Sequence, residues 1–199
     1  MRLIKVVLYF LFVFVVMLLF TATQFHGLSD AEAMDMAQLG HNLMVHKRFT
    51  TQCVRPVTMW YLIEKSSKHN PMINEHPDVL HPPLWPAVLS AGFKATRTSF
   101  VADKATRIFP PEYRVVAFGH VFTLLTGFML FLMGLRLFDR RVALLATTVY
   151  FLSDSVWRFS ISGLAIPMAT FLVITAFYWI LIAGARRQEE DASVFSWLI

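Results

Sequence analysis

The chain has 199 residues, 56% hydrophobic and 16% charged, with 19 Phe, a formal net charge of +5 and a mean hydropathy of +0.55. A water-soluble domain of this length does not carry blocks such as residues 6–22, apolar throughout apart from Thr21, whereas a bilayer core asks for about 20 such residues in one helix. The basic excess is not gathered into a face or tail, which excludes a nucleic-acid binder, and Cys53 is alone, so no intrachain disulfide braces any loop.

Arg2 and Lys5 precede the first apolar run. That run is longer than the h-region of a cleaved signal peptide, and Thr21-Ala22-Thr23 is a poor cleavage site. Residues 1–22 therefore read as an uncleaved transmembrane helix with a cytoplasmic N-terminus. Residues 23–113 form one long hydrophilic segment, nearly neutral, with nine Lys/Arg against eight Asp/Glu. Inside it, Ser29 and Glu32 form an S-x-x-E capping box that starts a helix over about 30–46. The spacing gives that helix an apolar stripe of Ala33, Met36, Ala37, Gly40, Leu43 and Met44. Glu32, Asp35, Gln38 (or Leu39) and Asn42 fall on its other side.

A second helix is expected over about 83–97. Its apolar part, 83–93, is too short to cross, and Trp85 with Lys94 and Arg97 suits a helix lying along the headgroups. Further transmembrane helices follow at 114–136, at 141–158 and at 165–184. The third of these four spans is the least clean, because Ser153-Asp154-Ser155 lies near its far end. Residues 193–199 read as the start of an incomplete span. If 83–93 does not cross, Arg2/Lys5, Arg136/Arg140/Arg141 and Arg186/Arg187 all fall in the cytoplasm, as the positive-inside rule asks. The expected fold is an all-α membrane protein. It is a multi-span helical bundle of about four spans plus an incomplete one, with a large external loop containing interfacial helices.

Candidate functional residues concentrate in that loop. Glu32 and Asp35 share a face at i, i+3, with Asp30 close by. Such carboxylates serve either as helix-dipole partners or as a general base. Six of the seven histidines lie in the loop, yet the five-residue spacings of His41/His46 and His76/His81 point each pair to different faces, so no shared metal is implied. His81 precedes Pro82-Pro83-Leu84-Trp85-Pro86, where a cation could meet an anionic lipid head or where the prolines simply punctuate a helix start. Arg55, Lys65 and Lys68 add further cations. Asp154 is either a functional ionisable group near a span or a helix-end residue in the headgroup zone.

Three stretches carry a family resemblance: residues 32–43 (Glu32-Ala33-Met34-Asp35-Met36-Ala37-Gln38-Leu39-Gly40-His41-Asn42-Leu43), Phe49-Thr50-Thr51 with Arg55-Pro56, and residues 81–86. Residues 136–146 add a turn similar to that family's cytoplasmic turn between spans. The chain resembles the N-terminal portion of the polyprenyl-phosphate-dependent membrane glycosyltransferases of the GT-C fold, which include protein O-mannosyltransferases and aminoarabinose transferases. The resemblance implies an enzyme that moves a sugar from a polyprenyl-phosphate donor to an acceptor on the outer face of the bacterial inner membrane. It implies an acidic base in the first external loop, placing Glu32 at the family's Asp position and Met36 at its Tyr position. Asp30 and Asp35 flank that register and leave the base open among the three. His81 and Arg55 are implied at the leaving lipid phosphate, with no cofactor and no spacing that supports a divalent cation. Two departures stand out. No carboxylate follows the second external turn, where residues 162–167 read Ser-Gly-Leu-Ala-Ile-Pro, and family members are two to three times longer, so the chain is expected to be a fragment. The rival expectation is a non-catalytic membrane subunit or remnant whose loop binds lipid or a partner protein.

Overall fold

An uninterrupted apolar sequence has one stable solution in a bilayer, a helix that satisfies every backbone N–H and C=O within itself. In the computed structural model, which describes residues 2–53, 55–56, 60, 64, 76–101 and 109–196, the first such sequence is helix α1 (Arg2–Gln24). It is followed by α2 (Ala31–His46), the two-residue strands β1 (Thr50–Thr51) and β2 (His76–Pro77), and α3 (Leu84–Ala95). Then come α4 (Pro110–Leu137), α5 (Arg140–Leu152), α6 (Asp154–Ser162) and α7 (Ile166–Ser196). Strands β1 and β2 pair antiparallel, Thr50 opposite Pro77 and Thr51 opposite His76. Among the described residues, three helices are long and apolar enough to cross a membrane: α1 over residues 4–24, α4 along its whole length, and α7 over residues 166–185. The chain is an all-α membrane protein with one minimal ladder among its described residues.

Helix α4 is the axis of the bundle. Its face toward α5 and α6 carries Gly119, Thr123, Thr126, Gly127 and Gly134, all buried. Small residues let membrane helices approach closely, because packing contact rather than water exclusion holds them together. A side chain at Gly127 would overlap the Phe151 ring, and one at Gly134 would lie 2.7 Å from Ala143 Cα. The buried threonines satisfy their hydroxyls on the preceding turn, Thr123 on the Gly119 carbonyl at 2.9 Å and Thr147 on the Ala143 carbonyl at 2.8 Å. By contrast Leu8, Phe12 and Leu19 of α1, and Phe177, Trp179 and Ile180 of α7, are exposed, as residues facing lipid must be.

The stretch expected as one span over 141–158 is two helices broken at Ser153. Ser153, Asp154 and Ser155 compete for backbone hydrogen bonds and make a helix-start signal inside an apolar run. Ser153 adopts an extended conformation and Asp154 opens α6. The expected start of a new span at 193–199 is not separate either. Residues 193–196 continue α7, since Arg186 and Arg187 are good helix formers that end nothing; residues 197–199 lie outside the described set.

A polar bridge inside the bundle was not foreseen. His120 places Nε2 2.7 Å from Thr21 Oγ1 on α1 and Nδ1 2.6 Å from Ser160 Oγ on α6. Thr21 Oγ1 already donates to the Met17 carbonyl at 2.9 Å, so it can only accept, and the neutral ring carries its proton on Nε2. Ser160 then donates to Nδ1, and every polar atom of the bridge is satisfied. Replacing His120 with Phe is expected to cost about 1–2 kcal/mol, the sum of two interhelical hydrogen bonds in a membrane. Unfolding in mixed micelles with rising SDS checks this.

The loop layer sits on the end of the bundle that carries Gln24, Pro110 and Gly163. Asp30, not Ser29, caps α2: its Oδ1 accepts the Glu32 N–H at 2.8 Å, so the expected capping box is displaced by one residue. Ala33, Met36, Leu39 and Gly40 are buried, and Gly40 lets α2 approach Leu89 and Pro86 of α3. Asp35 and Asn42, on the side opposite the expected apolar stripe, are buried as well, while Glu32 on that side is exposed. Asn42 donates to the Thr50 carbonyl at 2.7 Å, which docks β1 on the helix. Nor does Trp85 sit at a headgroup. It is 1% exposed and donates its indole N–H to the Gly163 carbonyl at 3.0 Å, pinning α3 to the α6–α7 turn. Gly163 has φ +80, and a Cβ there would lie 2.6 Å from Leu28, so only glycine combines that conformation with that proximity.

Candidate functional site

The buried carboxylate of Asp35 is the centre of a hydrogen-bonded cluster built from separate elements. One oxygen accepts the Thr51 hydroxyl of β1 at 2.6 Å, and the other accepts Arg55 Nη2 at 2.7 Å. His81, three residues before α3 begins at Leu84, lies 3.8 Å from the same Asp35 oxygen through Nδ1. That Nδ1 donates to Asp78 Oδ2 at 2.9 Å, and the same carboxylate oxygen also accepts the His81 backbone N–H at 2.9 Å. A carboxylate accepts only, so the ring carries its proton on Nδ1 and turns the Nε2 lone pair toward Arg55 Nη2, 3.4 Å away. The Asp78 backbone N–H donates to the Phe49 carbonyl at 3.1 Å, which holds the whole turn against β1.

The electrostatics follow from this packing. Partial burial opposes the charge of Arg55, but its hydrogen bond to Cys53 and the nearby Asp35 and Asp78 carboxylates outweigh that, raising its pKa further above the ordinary value. The Asp35 and His81 side chains are 4% and 3% exposed, whereas Arg55 keeps 26% of its side chain in contact with solvent. Arg55 is therefore the most accessible of these three residues.

The three candidate carboxylates separate into different situations. Asp30 is spent on the N-cap of α2. Asp35 has both oxygens engaged and is closed off. Glu32 is exposed, one turn before Asp35, and its carboxylate makes no hydrogen bond or ion pair among the described residues. Asp35, Arg55 and His81 are brought together, while the other candidates lie elsewhere: His41 packs its ring on Phe100 at 4.1 Å, and Asp154 pairs with Arg158 on α6. Lys65 and Lys68 fall outside the described residues. Among those described, no group of three potential metal ligands forms.

Sequence reasoning missed Thr51 and Asp78 as members of this cluster. The spacing Asp78-x-x-His81 was the available clue, since a turn brings i and i+3 together. It also missed a cleft of about 390 Å³ on the other flank of α2, lined by Met34, Gln38, His41, Phe100 and Glu112 among others. Gln38 borders both places, because its amide pairs with Gln52 in two hydrogen bonds, at 3.1 and 3.4 Å. Glu112, in the first turn of α4, lines that cleft and accepts the Leu28 N–H at 3.2 Å.

Fold and site together define a helical membrane protein whose loop layer holds a buried acid–guanidinium–imidazole cluster beside an open cleft. No family model matches the chain, and comparison with curated proteins and with solved structures finds no significant match.

Proposed function

We propose that the chain is a membrane glycosyltransferase of the polyprenyl-phosphate-dependent type, carrying that family's N-terminal portion and working on the outer face of the bacterial inner membrane. The observation that supports this reading is convergence. Asp35, Arg55 and His81 come from the three separate stretches that carry the resemblance, and they meet within hydrogen-bonding distance or one contact of it. Arg55, the most accessible residue of the three, stabilises the charge that accumulates on the departing lipid phosphate. His81 braces the guanidinium, and Asp35 positions both. Glu32 is the general base, because it alone of the three carboxylates is both free and open to an acceptor hydroxyl or amine.

The test is release of polyprenyl phosphate from a polyprenyl-phosphate-linked sugar by membranes containing the chain. Glu32→Gln is expected to slow release about 100-fold or more, the usual worth of a general base. Equal rates for the variant and the unaltered chain exclude the assignment. A second reading has its own support, since both oxygens of Asp35 are committed to holding β1 and the His81 turn in place. On that reading the chain is a non-catalytic subunit whose loop binds lipid or protein, and membranes containing it release no polyprenyl phosphate.

A further inference from the structure

Helix α6 has two unlike sides. At 100° per residue, Trp157 and Ser160 fall on the buried side, while Asp154, Ser155, Arg158 and Ser162 share one face about 100° wide. Every residue of that face is polar. The Asp154 and Arg158 side chains are 64% and 73% exposed, and they pair with each other.

The depth of this face is fixed by its neighbours. Phe151, just before the break, meets Gly127 of α4 and packs with Val13 and Met17 of α1. Leu152 and Trp157 border the same small cavity as Val13 and Val16. At the upper end, Ser160 meets Gly119, and Gly163 reaches Leu28, Ala33 and Val115. The break at Ser153 thus lies level with the middle of both α1 and α4. The polar face climbs from there to the loop end over the nine residues of α6, a rise of about 12 Å.

Charged side chains and open backbone at that depth are not left against lipid tails, where each carries a large desolvation cost. The first turn of α6 adds N–H groups with no side-chain cap. A covering helix would have to supply an acceptor for each of them. It would find no unpaired charge to complement, since Arg158 is already matched by Asp154 and Ser162 already donates to the Phe159 carbonyl at 2.9 Å. Water would satisfy all of these groups at once, and the polar face runs unbroken from them to the loop end.

We infer that this face of α6 lines a water-filled crevice that opens at the loop layer and reaches the middle of the membrane, admitting small hydrophilic solutes. The inference stands apart from the transferase reading. It is tested by replacing Cys53 with Ser, so that no native thiol remains, and then introducing one cysteine at a time as Ser155→Cys, Ser162→Cys, Leu145→Cys or Phe177→Cys. Leu145 and Phe177 are 67% and 57% exposed and belong to the apolar surface. Each variant is placed in lipid nanodiscs, open to solvent on both faces, and treated with a charged methanethiosulfonate. Only a thiolate reacts, and a thiol in hydrocarbon does not ionise. The crevice predicts that the cysteines at 155 and 162 react at least about tenfold faster than those at 145 and 177. A cysteine at 155 that reacts as slowly as the lipid-facing pair overturns the inference, whether lipid or another helix covers the face.

Discussion

Asp35→Ala is expected to destabilise the loop layer by about 3 kcal/mol, the lower end of what breaking a buried ion pair costs, because Arg55 keeps part of its surface in water. The substitution leaves the Thr51 hydroxyl and the Arg55 guanidinium without their shared acceptor. It also removes the carboxylate beside His81. The Arg55 segment and the His81 turn lose their tie to α2, and among the described residues β1 is held there only by the Asn42 and Gln38 hydrogen bonds, while the membrane helices keep their contacts. Proteolysis should therefore cut between α2 and α3 at much lower protease concentration, with helical content nearly unchanged. Glu32→Ala supplies the contrast. Exposed, and unpaired among the described residues, Glu32 should shift stability by no more than about 0.5 kcal/mol when replaced, while turnover is lost. Stability and activity are thus expected to divide between two carboxylates one helical turn apart.

Gly119→Ala is the second large effect. A Cβ at Gly119 would overlap the Ser160 carbonyl oxygen, a backbone atom that cannot rotate aside. Helices α4 and α6 must separate, and the His120 bridge, whose Nδ1 bonds Ser160, must stretch with them. Overpacking of this kind costs about 1–3 kcal/mol, and the loss of the bridge puts the expected value at the upper end. Gly184→Ala is the matched control, since nothing lies within 4 Å of a Cβ there. It should be neutral or slightly stabilising, because alanine restricts the unfolded chain. SDS-driven unfolding of the two variants should differ by most of the predicted cost.

The membrane helices were legible because their information is local. The runs behind α1, α4 and α7 exceed the bilayer's length requirement whatever they pack against. Where a short polar run competed with an apolar background, the reading failed. Ser153-Asp154-Ser155 is a helix-start sequence, but surrounded by Phe151, Leu152, Val156 and Trp157 it read as a blemish in one span rather than as a break between two helices. Trp85 failed for a related reason. An indole suits a headgroup and a buried carbonyl equally, and only the position of Gly163, far along the chain, decides between them.

The candidate site was legible as an inventory but not as an arrangement. Asp30, Glu32, Asp35, Arg55 and His81 could all be named from their stretches. What separates them is long-range. Asp35 is buried because Thr51 and Arg55 reach it from across a turn, and Asp30 has one oxygen engaged because it, and not Ser29, caps α2. Helical spacing made Glu32 and Asp35 equivalent, and tertiary contacts made them different.

Arg55 is the cation of the cluster assigned to the lipid phosphate, and the most accessible of its residues. The most direct measurement is the binding of a short-chain polyprenyl phosphate to the chain in nanodiscs, comparing the unaltered protein with Arg55→Gln. Loss of a charge-assisted hydrogen bond to phosphate predicts binding weaker by about tenfold or more. Unchanged affinity in a variant that retains its helical content would contradict the assignment of this cluster to the lipid phosphate.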